Sequence, residues 1–290
     1  MHLVKSSFTE LCRSKPFLRI KTMRSLILLV FLSSTLFGQT SDFDMQIYVE
    51  EDDKVVKIMG NNEEYFPISL SLEVQIKGAK LAENLEEYYV LKPKSQGTIL
   101  ATIVKPKNAN WSYKFGYNYS MGDALAEHDE NYAYQLPFPA GKSYRLSQGY
   151  NGSTTHRGIN ALDFTIPEGA SITAARAGTV VRIKEDSNRG CPSAECMHDG
   201  NYVSILHEDG TMADYVHLQK NGVIVELGEK VTAGQPIALN GATGWASGAH
   251  LHFVVYTTGN QAQKTLPVKF EISLNKVEYL KEGQIYNSFR

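Results

Sequence analysis

The chain is poor in the features that nucleic-acid binding, thiol chemistry and membrane spanning require. Its 290 residues carry 29 lysines and arginines against 31 aspartates and glutamates, a formal net charge of −2. No basic surplus exists to neutralise phosphates, which argues against a nucleic-acid partner. Cysteine is scarce, with three in the chain. The apolar run Leu26–Phe37 falls short of the roughly 20 residues that cross a bilayer. There is no internal repeat and no low-complexity tract, and nothing after residue 135 reads as a long amphipathic helix. Several catalytic signatures are missing as well. No HExxH pattern occurs, since "HEDG" at 207–210 reads as a turn, and no G-x-S-x-G elbow is found. The cysteines do not supply the His-x-Glu and Cys-x-x-Cys of zinc deaminases.

What is present begins with an apparent leader. Lys21 and Arg24 precede "LILLVFLSSTLF", followed by Gly38, Gln39 and Thr40. A basic region, a short apolar run and a small-residue exit predict a secretory signal over residues 1–39. Met23 is an alternative start, which would make residues 1–22 an upstream extension. No cysteine lies just after the apolar run, so no lipid anchor is expected there. The mature chain is expected to be secreted or periplasmic, with no transmembrane segment. In an oxidising compartment, Cys191 and Cys196 in "RGCPSAECMHDG" read most simply as a local disulfide. A second metal site using His198 is the alternative.

With 42% apolar and 21% charged residues, the composition is ordinary for a globular protein. The period of the pattern is two almost throughout. "ISLSLEVQIK" sets Ile68, Leu70, Leu72, Val74 and Ile76 against polar neighbours, and "WSYKFGYNY" does the same with Trp111, Tyr113, Phe115, Tyr117 and Tyr119. Such alternation predicts half-buried strands, and here an Ig-like β-sandwich over residues 40–130. The aromatic stripe is read as one sheet face in a core. A seam is expected in "SMGDALAEHDENYAYQLPFPAGKSY", with His128 solvated. Further strands are expected in "GTVVRI", "NYVSILHEDGTMADYVHL", "KVTAGQPIAL" and "HLHFVVY". Asp209-Gly210 marks a hairpin turn, with His207 exposed beside it.

One short run stands out from this pattern. "GAHLHF" places His250 and His252 one residue apart, so a strand there points both imidazoles to one face. Two imidazoles make a poor core, and suit either a solvated face or a metal ligand beside an acid–base group. His156, Asp163 and His217 lie upstream. Two neutral imidazoles and one carboxylate would leave net positive charge on a zinc ion, enough to acidify a bound water and polarise a carbonyl.

"HRGINALDFTIPEGASITAARAGTVV", "NYVSILHEDGTMADYVHL" and "GEKVTAGQPIALNGATGWASGAHLHF" resemble, in order and spacing, the lysostaphin-type (LytM-like) zinc peptidoglycan endopeptidases. The resemblance covers roughly residues 135–260. It implies a mainly antiparallel β peptidase domain over 131–265, with a closing segment at 266–290. It further implies Zn2+ held by His156, Asp163 and His252, and His217 and His250 as catalytic histidines. Peptidoglycan peptides would be the substrate. The commoner spacing of the family would put the aspartate at Asn160; the "DFTIPEG" stretch favours Asp163. Tyr150 would line the cleft toward an oxyanion or be a plain loop aromatic, and Trp245 would wall the groove. The alternative function is a non-catalytic wall-binding or hydrolase-activating module.

Overall fold

A computed structural model describes residues 7–11, 43–259 and 262–290. The expected leader run, Leu26–Phe37, lies outside the described residues. So do Cys12 and Met23. Among the described residues no helix is long and apolar enough to cross a membrane, and β structure dominates.

The first half is two four-stranded antiparallel sheets. Strands β1 (Met45–Glu51), β2 (Val55–Asn62) and β4 (Ser95–Val104) lie in one; β3 (Ile68–Lys77) and β5 (Ser112–Met121) lie in the other. The register of β3 on β5 pairs Leu70 with Tyr119, Leu72 with Tyr117 and Val74 with Phe115, so the two alternating stripes meet on one face. A short strand at Ser7–Leu11 pairs with the other side of β5.

The second half is built on a nine-stranded sheet whose pairings are all antiparallel. Its principal strands are β6 (Ser143–Gln148), β7 (Ala161–Thr165), β8 (Gly178–Lys184), β9 (Tyr202–Leu206), β10 (Met212–Val216) and β11 (Leu251–Gly259). Strands β9 and β10 form the hairpin expected at Asp209-Gly210, with Gly210 in the left-handed region at φ 79°. Along β11 the side chains alternate: Leu251, Phe253 and Val255 enter the core with Leu162, Phe164 and Tyr215, while His252, Val254 and Tyr256 take the opposite face.

That opposite face does two jobs. At one end it carries His252. Further along, Val181, Met212 and Tyr256 bury themselves in the same apolar cluster as Ile58, Phe66, Leu70 and Leu100 of the first half. The expected seam is therefore a packed joint. Gly122 shows how tight it is, because a Cβ there would meet Thr258 Oγ1 at 2.0 Å.

The joint also overturns two expectations. His207 is 3% exposed, with Nδ1 2.9 Å from the Ala177 carbonyl. His128 is half-buried, its Nδ1 3.6 Å from Asp209 Oδ2. Both were expected to meet solvent; the chain folded over the hairpin end removes it.

Candidate metal centre

Asp163 on β7 stands directly opposite His252 on β11 in the sheet register. Facing positions of an antiparallel pair bring side chains within reach. His252 Nδ1 accordingly lies 2.9 Å from Asp163 Oδ1. His156 comes from the loop between β6 and β7 and is 1% exposed. Its Nε2 is 3.3 Å from Asp163 Oδ1 and 3.3 Å from His252 Nδ1. The three atoms form a small triangle able to hold one cation.

Two of the corners are fixed from behind. His156 Nδ1 donates to the Gly149 carbonyl at 3.0 Å, leaving Nε2 as the lone-pair nitrogen. The second carboxylate oxygen of Asp163 accepts from Gln148 Nε2 at 2.8 Å. Gln148 also donates to Thr155 Oγ1 and accepts from the backbone N–H groups of Thr154 and Thr155. One buried amide thus ties the carboxylate to the loop that delivers His156. Gly152 is needed for this, since a Cβ there would strike Gln148 Cγ at 2.4 Å.

The electrostatics follow from a single carboxylate among imidazoles. Burial disfavours the Asp163 anion, but bonds to His156 and His252 outweigh it and hold the carboxyl well below its usual range. Burial likewise opposes charge on His156, and Asp163 reverses that to raise its pKa. The carboxylate thus favours the protonated form of His156.

His217 and His250 stand beside the triangle. The His217 ring centre is 4.5 Å from that of His250 and 5.8 Å from that of His252. His217 occupies the corner after β10 with φ 69°, a left-handed conformation uncommon outside glycine. Its Nδ1 donates to the Thr243 carbonyl at 2.7 Å, so Nε2 carries the free lone pair. Burial, then the nearby His250 and His252, push its pKa down to about 3. His250 donates from Nδ1 to the Gly248 carbonyl at 2.9 Å, and its Nε2 is 3.9 Å from Asp163 Oδ1. All five sequence-predicted residues are therefore together.

Other candidates fall elsewhere. Asn160 spends its amide on the Thr265 carbonyl and on Asn151. The Tyr150 hydroxyl donates to the Val268 carbonyl at 2.9 Å and accepts from the Val268 N–H, so it is not free to meet an oxyanion. Trp245 is 38% exposed in a short parallel pairing with Cys191. Cys191 and Cys196 are joined as a disulfide, which removes the thiolates that a second metal site would need. The reading from sequence missed Gln148 and Thr243. The one sign of Gln148 was a polar residue closing a strand beside "GYNG".

Residues 155–264 match the profile of peptidase family M23. Over 149 residues the chain is 33% identical to peptidoglycan DD-endopeptidase ShyB of Vibrio cholerae, covering 48% of this chain and 32% of that protein. It is 28% identical over 159 residues to lysostaphin of Staphylococcus simulans, covering 54% and 24%. A solved structure of that lysostaphin aligns at 28% identity with a TM-score of 0.34, over 42% of this chain and 47% of the other. The chain thus spans about a third or less of these two curated relatives' length. On the profile match and these relatives, the chain carries a peptidase family M23 domain of lysostaphin-type kinship.

Proposed function

We propose that the chain is an exported zinc metalloendopeptidase that hydrolyses peptide bonds in peptidoglycan stem peptides or cross-links. The observation that carries this is the donor triangle. Four ligands placed tetrahedrally at the usual zinc distances of about 2.0–2.1 Å stand about 3.3 Å from one another. The sides here measure 2.9, 3.3 and 3.3 Å. Two imidazoles and a carboxylate are also a donor set that zinc accepts. His156, Asp163 and His252 are the proposed ligands.

Bound there, zinc would supply Lewis acidity toward the amide carbonyl and toward a water. The remaining work belongs to side chains. His217 is the proposed base: its Nδ1–H is spent on Thr243, which leaves Nε2 as the lone-pair nitrogen to take a proton from the attacking water. His250 is the second catalytic histidine, its Nε2 lying on the other side of the cluster beside Asp163. Delivery of a proton to the departing amine is assigned to this pair of imidazoles. Export is supported by the leader-like start of the sequence and by the Cys191–Cys196 disulfide, which belongs to oxidising compartments. The substrate class is supported by relatives named as peptidoglycan endopeptidases.

The test is mass spectrometry of peptidoglycan fragments after incubation with the protein, with the protein stripped by chelator, and with the stripped protein given zinc. New amine and carboxyl ends that vanish on stripping and return with zinc are expected. Absence of new ends with one zinc held per chain would overturn the endopeptidase reading in favour of a binding module.

A further inference from the structure

His217 works only if its Nδ1–H is held, because that bond decides which nitrogen is free. The acceptor is a backbone carbonyl, that of Thr243, in the loop between residues 240 and 250. What fixes this loop is a second segment, residues 187–201, which grips it at two points. On the entry side, Gly190–Cys191 pairs in parallel with Gly244–Trp245. The Gly244 N–H donates to the Arg189 carbonyl at 2.8 Å, and the Ala246 N–H to that of Cys191 at 3.1 Å. On the exit side, the Asn201 N–H donates to Thr243 Oγ1 at 2.9 Å, and that hydroxyl donates in turn to the Leu218 carbonyl at 2.8 Å.

The backbones approach closely at both grips. A Cβ on Gly190 would meet the Ala242 carbonyl at 1.9 Å, and one on Gly244 would meet the Gly200 Cα at 2.6 Å. Between the grips runs a short 3-10 helix, Ala194–Asp199, that contains Cys196. The Cys191–Cys196 disulfide joins the entry strand to this helix, and so joins one grip to the other.

We infer that the Cys191–Cys196 disulfide and Thr243 together form a positioning device for His217, one that makes turnover sensitive to thiol reductants. This rests on the catalytic reading of His217 given above. The disulfide touches none of the three proposed ligands, so opening it should leave the metal in place. Cys196 is fully buried and Cys191 is half-buried, so a thiolate meets the bond at Cys191 Sγ. With a dithiol reagent, the first thiolate attacks Cys191 and expels Cys196, which is protonated to a thiol. The second reagent thiol then releases Cys191, leaving two protein thiols and the reagent as its cyclic disulfide.

The experiment uses the full zinc-loaded protein before and after dithiothreitol, alongside Cys191→Ser/Cys196→Ser. Three quantities are read: zinc per chain, kcat and KM on peptidoglycan, and the His217 tautomer by long-range proton–nitrogen correlation. The expected result is unchanged zinc and KM, at least a tenfold fall in kcat, and loss of the single Nδ1–H tautomer. Reoxidation should restore the wild type and not the serine variant. Retention of the Nδ1–H tautomer after reduction, or a kcat within twofold, would overturn the inference. Should the oxidised wild type prove to cut no peptidoglycan, the function reading fails alone, and the tautomer still decides this one.

Discussion

Two carboxylates on the same half of the molecule each have histidine beside them, and they differ in who supplies the positive charge. Asp163 has His156, His252 and, further off, His250, with a neutral amide from Gln148 behind it. No lysine or arginine pairs with it among the described residues. Asp209 has His128 at 3.6 Å but also Arg176 Nη1 at 2.7 Å, with Thr211 and the Asp129 N–H donating to it as well. Arg176 in turn lies over Tyr132 and donates to the Tyr134 hydroxyl. A permanent guanidinium closes the second cluster as a structural tie. The first is left open to a cation from outside. The two carboxylate side chains are equally exposed, at 11%, so burial would rank them alike; asking where the compensating charge comes from separates them.

The comparison breaks most visibly through the carboxylates themselves. Asp163→Ala should abolish zinc binding and, with it, the several kcal/mol of charge stabilisation that a metal gives, so turnover should fall roughly a thousandfold or more. Metal analysis and the peptidoglycan assay read this. Asp209→Ala should leave zinc at one per chain and instead strand Arg176, whose side chain is 7% exposed. Breaking a buried pair from one side costs about 3–5 kcal/mol. Denaturant titration reads that loss, and a variant with wild-type stability would show that Asp209 is no tie at all.

The same contrast extends to pH. Burial pushes the His207 pKa down to about 4, with Nδ1 donating to Ala177 and no partner for Nε2. In the unfolded chain an ordinary histidine titrates near 6.5. The unfolded state therefore binds the extra proton first as pH falls. Stability should be full above about 6.5, decline toward pH 4, and level off below, for a loss of up to about 3 kcal/mol. His207→Asn, whose amide can replace the Nδ1 donor, should flatten that part of the curve. An identical pH dependence in the variant would mean that His207 is not the source.

What the sequence could and could not reveal follows from range. The strands and the five clustered residues were legible because alternation is local and because the resemblance spans ordered motifs. His207 was misread since nothing near it in the chain says that distant residues cover the hairpin end. Tyr150 stayed undecided between its two readings for the same reason, its hydroxyl being taken by Val268, 118 residues away. Thr243 could not be found at all, because it acts through a carbonyl that every residue possesses. The structured joint between the halves was likewise invisible, as Val181, Met212 and Tyr256 look like ordinary strand residues whichever face they cover.

Gln148 provides the finest cut between the two clusters. At Asp209 the support is a guanidinium, whereas at Asp163 it is this amide, 8% exposed, which fixes one carboxylate oxygen and the Thr154–Thr155 backbone together. Partners of metal ligands typically change affinity by about 10–100-fold when removed. Gln148→Ala should therefore weaken zinc within that range without abolishing it, and Gln148→Glu should behave differently. A glutamate would set a second negative charge against Asp163 and against the acceptor geometry, or else hold a proton and keep the bond. Competition against a calibrated chelator across pH separates these cases. Zinc affinity rises with pH as the histidines lose protons. The alanine variant should fall below wild type by the same factor at every pH, and the glutamate variant should fall further below wild type as pH rises. Equal affinity in wild type and both variants at every pH would show that the triangle holds its shape without the amide.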